Sequence, residues 1–420
     1  MYKKLFGIAF FCLLLAGAFF HIGGCSESSG SGGGSNIQAG EDTFTPLTIE
    51  FLTEPVPFAG SDGEVHLVYE IQISNAVPLP FQVNSLEVLN ASDHGQVIAA
   101  FSVEDVMGAL QVIPGRIPTN LIEGGSNAIF FVTFSVDSMN DVPSKLTHRF
   151  VITVPGGIPQ QFLAFLDLPL DSQEIIQTYG ELNVSPRDVI LISPPLKGGR
   201  WVAADGCCTA ERHVRAVMPV NGKQIISQRF AIDFEILNED DLIYVGDPKD
   251  VNSYFSYGQE VISAAEGQVV TAVDGFDDQI PGELPPVITL EEADGNHVVI
   301  DHGNGNFALY AHLIKGSVAV EQGDFVTRGQ LLGLVGNTGN TSAPHLHFHM
   351  MAGVSTFGSN GLPYVFDGFE LLARSASTEA FDEAEINGTP LEMVPVSNPG
   401  NRENELSLDQ SIMIFPGQSK

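Results

Sequence analysis

The sequence is poor in cysteine and in positive charge. Its 420 residues include 4 cysteines, and 18 lysines and arginines stand against 51 aspartates and glutamates. The resulting net charge of −33 argues against binding nucleic acid or an anionic membrane face through bulk electrostatics. We therefore expect no nucleic-acid partner, and we interpret the acidity mainly as a source of solubility.

Also lacking are long apolar stripes with the 3.6-residue period of amphipathic helices. The chain instead contains 44 glycines and 25 prolines, with 44% hydrophobic and 16% charged residues. This composition supplies enough apolar material for sizeable cores and is typical of strands joined by turns. The sequence therefore predicts an all-β protein with almost no helix, folded into two domains.

The amino terminus has the features of a secretory signal. Lys3 and Lys4 precede an apolar run at 5–20 that is too short and wrongly flanked for a spanning helix. The run ends in Ile-Gly-Gly-Cys at 22–25, which resembles the bacterial lipoprotein signal, where the cysteine thiol is lipidated. An ordinary signal peptide with a chance cysteine is the alternative. We expect a signal peptide at 1–24, a lipid on Cys25 and a Gly/Ser-rich tether at 25–42.

The mature body then contains one neighbouring pair of cysteines, Cys207 and Cys208. They either close a vicinal disulfide in an oxidising compartment or stay reduced in a turn. A thiolate metal site has less support, because neither the spacing nor a third cysteine favours it.

Alternating segments between residues 43 and 170 predict a β-sandwich of immunoglobulin-like kind. Apolar and polar residues alternate in several stretches bounded by Gly, Pro, Asn and Asp, among them 65–73, 84–89, 128–134 and 149–154. The histidines of this region are scattered, and we read them as ordinary strand or loop residues. We expect a linker at 171–189. We also expect the sandwich to act as a spacer or as a docking module for a protein partner.

The second domain, predicted at 190–375, contains the run Thr-Ser-Ala-Pro-His-Leu-His-Phe at 341–348. Side chains alternate faces along a strand, so His345 and His347 can both point to one metal ion or one water. Taken alone, such a pair is about as often a surface accident as a site. The surrounding motifs decide its interpretation.

These motifs follow one another in a recognisable order. A strand with one acid, Asp233, precedes a Gly-Asn-His strand at 295–303, a Tyr-Ala-His-Leu strand at 310–313 and glycine-rich turns at 323–339. This order closely resembles the lysostaphin-type, or LytM-like, zinc metallopeptidases that cut peptidoglycan cross-bridges. The resemblance implies an antiparallel β-sheet core with a groove across one sheet, and Zn²⁺ as the cofactor.

The resemblance also implies roles for four residues. His347 and Asp233 fall at zinc-ligand positions, and a catalytic zinc has three protein ligands and one open position. His312 and His345 fall at positions that orient or deprotonate the attacking water and stabilise the oxyanion. The alternative for His312 and His345 is an indirect role, in which they orient the ligands.

The chain departs from the family pattern at the first zinc ligand. The family has a histidine four residues before the acid, where this chain has Arg229, and arginine does not bind zinc. The upstream candidate is His213, which a hairpin with Asn-Gly at 221–222 would connect to Asp233. A two-residue turn would pair His213 with Phe230 on the wrong face, whereas a bulged three-residue turn would bring it to Asp233's face. We predict His213 as the third ligand; the alternative is a surface histidine beside a damaged site.

Two functions follow from this. The first is a lipid-anchored zinc endopeptidase that hydrolyses peptide cross-links of peptidoglycan, facing the periplasm from the outer membrane. The second is a LytM-like regulator or binding protein that has lost zinc with its first ligand.

The sequence also predicts features around the site. His349 is expected in the groove wall or against substrate, and residues 235–256 and 276–286 are candidate lids. The extension at 376–420 forms either an edge strand or an irregular tail.

Overall fold

The computed structural model describes residues 43–417, apart from residues 114, 116 and 210. The predicted signal peptide, lipid site and tether lie outside the described residues. The described residues from Thr45 onward form one compact unit, the second of two into which the chain divides. All elements below belong to the second unit, which is mostly strand with few helices, as predicted.

Two five-stranded antiparallel sheets form the amino-terminal β-sandwich. The first has the order β1-β3-β8-β6 with β2 on β3, and the second has the order β10-β9-β4-β5 with β7 on β4. Their strands are β1 (Leu47–Phe51), β2 (Phe58–Ala59), β3 (Val65–Asn75), β4 (Phe81–Asn90), β5 (Asp93–Phe101), β6 (Leu110–Val112), β7 (Leu121–Ile122), β8 (Asn127–Val136), β9 (Lys145–Thr153) and β10 (Ile175–Asn183). Two short helices accompany them, α1 (Val103–Ala109) and α2 (Gln160–Phe165).

The four alternating stretches predicted as strands are confirmed as parts of β3, β4, β8 and β9. Their inward side chains, such as Tyr69 and Phe130, form one buried core between the two sheets. The segment expected to be a linker contains β10, which pairs with β9 through residues 175–183. The sandwich thus extends further along the chain than the sequence suggested.

A twelve-stranded sheet forms the centre of the remaining chain. Its order is β20-β17-β18-β19-β22-β15-β12-β28-β25-β26, with β23 on β22 and β27 on β25. The strands are β12 (Gly198–Ala204), β15 (Ile232–Leu237), β17 (Gly267–Val273), β18 (Asn296–Asp301), β19 (Phe307–Leu313), β20 (Phe325–Val326), β22 (Leu346–Met351), β23 (Gly361–Leu362), β25 (Phe369–Ser375), β26 (Met393–Val394), β27 (Gly400–Arg402) and β28 (Ser411–Phe415). Apolar residues of these strands form a second large core.

Three two-stranded sheets, two α-helices and two 3₁₀-helices, at Arg212–Arg215 and Val251–Ser253, also belong to this part. The sheets pair β11 (Ile190–Ile192) with β24 (Tyr364–Phe366), β13 (Met218–Val220) with β14 (Lys223–Ile225), and β16 (Glu260–Ile262) with β21 (Leu331–Leu334). The α-helices are α3 (Leu290–Ala293) and α4 (Thr378–Asn387). Among the described helices, none has the length and apolar character needed to cross a membrane.

The carboxy-terminal extension is part of the central sheet. β28 lies inside the sheet, bonded to β12 on one side and to β25 on the other. Both alternatives expected for this segment, an edge strand and an irregular tail, are therefore wrong for β28. The apolar face of α4 packs with the 235–256 segment, where Phe381 and Ala384 join Tyr244 and Tyr254 in one buried cluster.

Candidate metal centre

Three neighbouring strands bring the central residues of the site together. β15 pairs with β22 so that Asp233 lies directly opposite His347, and β22 pairs with β19 so that His347 lies opposite Ala311. Side chains directly opposite each other point to the same face of a sheet. The hydrogen-bonding register therefore places Asp233 and His347 side by side, with His347 Nδ1 2.7 Å from Asp233 Oδ1.

His312 reaches the same place through an irregular backbone. It follows Ala311, so a regular strand would direct it to the other face. Its φ of 66° lies in the left-handed region, and the β18–β19 ladder changes register between Asn296 and Val298. Such a bulge redirects a side chain. The ring of His312 consequently lies 4.8 Å from that of His345 and 5.8 Å from that of His347, centre to centre.

His213 comes from a short 3₁₀-helix at Arg212–Arg215, and not from the predicted hairpin. The Asn-Gly turn does form a two-residue hairpin, with Val220 opposite Lys223. Its strands end at Met218 and Ile225, so the register argument does not reach His213. The 3₁₀-helix instead places His213 Nε2 3.4 Å from Asp233 Oδ2.

Two overlapping groups of potential metal ligands result. In one, a ligand atom from each of His213, Asp233 and His347 lies within 4.8 Å of the others; in the second, His312, His345 and His347 meet the same limit. His347 is common to both groups. The structure thus brings together all five residues predicted for the site.

Backbone carbonyls fix three of the imidazoles. The Nδ1 atoms of His213, His312 and His345 lie 3.0, 2.7 and 2.8 Å from the carbonyl oxygens of Asp205, Thr338 and Ala343. A carbonyl only accepts hydrogen bonds, so each Nδ1 carries the proton and donates it. In the neutral rings Nε2 is then left with its lone pair, which is the form that binds a metal or accepts a proton.

His347 has a different outer partner. Its Nε2 lies 3.0 Å from Nδ1 of His349, and His349 is 1% exposed. The expectation that His349 lines the groove or touches substrate is wrong, because its burial keeps it from both. Among the described residues, no hydrogen-bond partner is found for its Nε2.

Burial and mutual charges set the protonation of the site. Burial raises the pKa of Asp233, but the neighbouring His345, His213 and His347 outweigh it and hold that pKa well below its usual value. Burial likewise disfavours a charge on His213, yet the carboxylates of Asp233 and Asp205 raise its pKa to about 9. The pKa of His312 shifts in the opposite direction, because burial and the nearby His345 lower it well below the usual value.

Several acidic side chains lie near these groups. Glu235 lies two residues after Asp233 on β15, and burial and Glu385 raise its pKa well above the usual value. Burial also raises the pKa of Glu385, which lies on α4, to about 7. Arg212 forms ion pairs with Asp205 and with Asp382, the second of which lies on α4. These pairs connect the 3₁₀-helix that carries His213 to the carboxy-terminal extension.

Comparison with known proteins finds a family match for one segment that contributes to this centre. Residues 250–357 match Peptidase family M23. Over 57 residues the chain is 49% identical to the peptidoglycan DD-endopeptidase ShyA of Vibrio cholerae, covering 14% of this chain and 13% of that protein. Over 110 residues it is 34% identical to lysostaphin of Staphylococcus simulans, covering 26% of this chain and 19% of that protein. The chain thus spans under a fifth of the length of these two curated relatives.

Solved structures include the catalytic domain of lysostaphin from Staphylococcus simulans. That domain is 21% identical to this chain. The superposition covers 40% of this chain and 88% of the lysostaphin domain, with a TM-score of 0.22. The M23 segment contains His312, His345 and His347, whereas Asp233 and His213 precede it.

The side chain of Arg229 points away from the candidate metal centre. Its guanidinium bonds both carboxylate oxygens of Glu70, with Nε 2.6 Å from Oε1, and Nη1 lies 3.2 Å from the carbonyl oxygen of Gly361. Glu70 belongs to β3 of the sandwich, so the residue at the family's first ligand position serves the contact between the two parts of the chain.

The sequence alone did not identify the groups that support the candidate metal centre. Three of them are the backbone carbonyls of Asp205, Thr338 and Ala343, which no side-chain pattern reveals. Glu385 and Asp382 come from α4, far along the chain. His349 was expected to lie in the groove wall or against substrate, and its hydrogen bond with His347 was not predicted. The predicted cysteine alternatives are resolved, since Cys207 and Cys208 form a disulfide.

Proposed function

We propose that the chain is a zinc-dependent endopeptidase that hydrolyses peptide cross-links of bacterial peptidoglycan. The observation that carries the proposal is the meeting of His213, Asp233 and His347 within 4.8 Å of one another, beside His312 and His345. Two imidazole nitrogens and one carboxylate oxygen suit zinc, which is bound by such mixed sets with a fourth position open. The M23 match and the named endopeptidase relatives support the same reaction class.

In this proposal His213 Nε2, His347 Nδ1 and a carboxylate oxygen of Asp233 hold the ion. These three residues would hold zinc, which would supply Lewis-acid polarisation of an amide carbonyl and a lowered pKa for water at the site. His312 is neutral near pH 7, because its pKa is lowered by burial and by the neighbouring His345. Its free Nε2 is therefore able to accept a proton from the attacking water.

His345 has the complementary role. Its Nδ1–H is held by the carbonyl oxygen of Ala343, so the ring cannot rotate without losing that bond. Burial disfavours its charged form, but the carboxylate of Asp233, 3.4 Å from His345 Nε2, raises its pKa. When protonated, His345 Nε2 donates a hydrogen bond, which stabilises the oxyanion of the tetrahedral intermediate and later protonates the leaving amine.

The alternative of a zinc-free regulator was based on Arg229. The placement of His213 supports the enzyme instead, because a third donor stands beside Asp233 despite the missing histidine. We further propose the predicted location, a lipid anchor at Cys25 in the outer membrane facing the periplasm, with peptidoglycan peptides as substrate.

Metal content and hydrolysis of purified peptidoglycan together test the proposal. The mature chain is expected to contain one zinc per molecule and to release cross-linked peptides as monomers, measured by mass spectrometry. His213→Ala and His347→Ala are expected to lose stoichiometric zinc, keeping only weak binding through the remaining ligands, and to lose hydrolysis. His302→Ala is the matched control, since His302 bonds the carbonyl oxygen of Glu266 outside the site. A native chain without zinc and without hydrolysis would overturn the proposal.

A further inference from the structure

We infer that the β-sandwich is a positioning part of the metal centre, because it holds the segment that carries His213. The inference rests on the proposed function and deepens it, since it names what fixes the third ligand. The other ligands, Asp233 and His347, lie on paired strands of the central sheet. His213 has no such ladder, because its 3₁₀-helix pairs with no strand among the described residues.

The 3₁₀-helix has little internal support. Its backbone hydrogen bonds are short-range, as in Val214 N to Glu211 O at 3.1 Å and Ala216 N to His213 O at 3.0 Å. A single such turn is marginal in isolation, because few hydrogen bonds offset the entropy lost on ordering the backbone. Its position must therefore be fixed by packing against something else.

The packing around the two residues that follow His213 comes mainly from the sandwich. Val214, the residue after His213, is completely buried in a cluster with Ile129 and Phe131 of β8 and with Ile226. The next residue, Arg215, places its guanidinium 5.7 Å from the centre of the Phe131 ring and donates a hydrogen bond to the carbonyl oxygen of Gly108. Two consecutive residues after the ligand are thus anchored on the sandwich.

The segment that leads to Asp233 is anchored on the same sheet of the sandwich. Arg229 forms its buried ion pair with Glu70 of β3, and Phe230 packs edge-on against Phe58 of β2 with ring centres 5.4 Å apart. β2, β3 and β8 belong to one sheet. A single sandwich sheet therefore supports the chain on both sides of the hairpin between His213 and Asp233.

Phe131 is accordingly a positioning residue that acts through His213. In the full-length mature chain, Phe131→Ala is expected to weaken zinc binding by roughly 10-fold to 100-fold, the usual range for groups that support a ligand. The measurement is the zinc dissociation constant from competition with a chromophoric chelator. Phe150→Ala is the matched control, because it removes the same ring from the sandwich core away from this contact.

A double-substitution cycle separates positioning from general loss of stability. If Phe131 acts through His213, Phe131→Ala weakens zinc binding in the native background and has no further effect in His213→Ala. An equal effect in both backgrounds, or an equal effect of Phe150→Ala, would overturn the inference. Should Phe131→Ala fail to fold, Ile129→Val makes a smaller cavity in the same cluster and answers the same question.

A second readout does not depend on zinc. In metal-free protein, the ring Nδ1–H of His213 is held by the carbonyl oxygen of Asp205, and its NMR cross-peak reports that contact. Phe131→Ala is expected to shift or broaden this signal, while Phe150→Ala leaves it in place. An unchanged His213 signal would count against the inference. Absence of zinc from the native chain would instead count against the proposed function alone.

Discussion

Arg229 and Glu70 form an ion pair that is buried on both sides, with 3% and 0% of the side chains exposed. The pair joins the sequence position expected for a zinc ligand to the middle of a sandwich strand. A charge left unpaired at such depth is strongly unfavourable, whereas a matched apolar pair in its place is often tolerated. The pair therefore couples the stability of the sandwich to that of the central sheet.

We expect Glu70→Leu and Arg229→Met to destabilise the protein when made singly, each by about 3–5 kcal/mol. The double substitution removes both charges and is expected to cost much less than the sum of the two. Urea unfolding of the four proteins measures the coupling. Additive effects would show that the two side chains do not depend on each other.

Arg229→His is expected not to create a zinc ligand, although it restores the family's residue at that position. The side chain at 229 is directed to Glu70 and to the carbonyl oxygen of Gly361, away from Asp233. Introduced into His213→Ala, it should leave zinc content at the level of His213→Ala alone. Recovery of stoichiometric zinc in the double variant would mean that the backbone at 229 can turn toward the site.

His349 is expected to fix the orientation of the His347 ring by accepting a hydrogen bond from it. When His347 Nδ1 binds a metal, its Nε2 carries the proton and donates to His349 Nδ1, 3.0 Å away. His349→Phe should weaken zinc binding by roughly 10-fold to 100-fold, while His349→Asn, whose amide oxygen also accepts, should largely restore it. Ring ¹⁵N shifts check the tautomer directly; the same His347 tautomer in His349→Phe would contradict this role.

His148 is expected to make the sandwich sensitive to acid. Its Nδ1 donates to the carbonyl oxygen of Gly180 and its Nε2 accepts from the hydroxyl of Tyr69, so the neutral ring is fully bonded. Burial lowers its pKa to about 4, against about 6.5 in an unfolded chain. The unfolded state then binds the extra proton between these values, and stability falls as the pH drops from 6.5 to 4.

The expected loss is about 3 kcal/mol over this interval, at about 1.4 kcal/mol per pH unit. Thermal unfolding of the native chain and of His148→Gln from pH 4 to pH 7 measures it. The difference between the two proteins isolates His148 from the many carboxylates that titrate nearby. Parallel pH profiles would rule out this assignment.

Met413 of β28 is expected to matter as a core residue of the central sheet. It is completely buried and lies opposite Trp201 of β12 and Leu371 of β25. Met413→Ala should cost about 2–5 kcal/mol. Ile386 of α4 is 74% exposed, so Ile386→Ala is the control and should change stability by less than about 0.5 kcal/mol. Similar values for the two would mean that β28 contributes little.

Local patterns were enough to predict much of the fold. Alternation identified β3, β4, β8 and β9, since one buried face imposes a period of two on each strand. The same rule placed His345 and His347 on one face. What it could not give is pairing: β16 and β17 follow each other in sequence, but β16 pairs with β21.

The site was predictable where strands carry it and obscure elsewhere. Asp233 and His347 follow from neighbouring strands, whereas His312 depends on a left-handed backbone that no residue preference announces. The placement of His213 is tied to its neighbour Val214, which shares a buried cluster with Phe131, 83 positions earlier in the sequence. Long-range contacts of this kind are determined by the whole fold and leave no local signal.

The place of β28 between β12 and β25 has a consequence for the order of synthesis. The central sheet cannot close before residues 411–415 have left the ribosome. Until then β12, which pairs with the Asp233 strand β15, presents an open edge that can pair with other chains. A nascent chain is consequently without a completed central sheet until residues 411–415 are available to pair, and a chaperone that covers this edge would protect it during that interval.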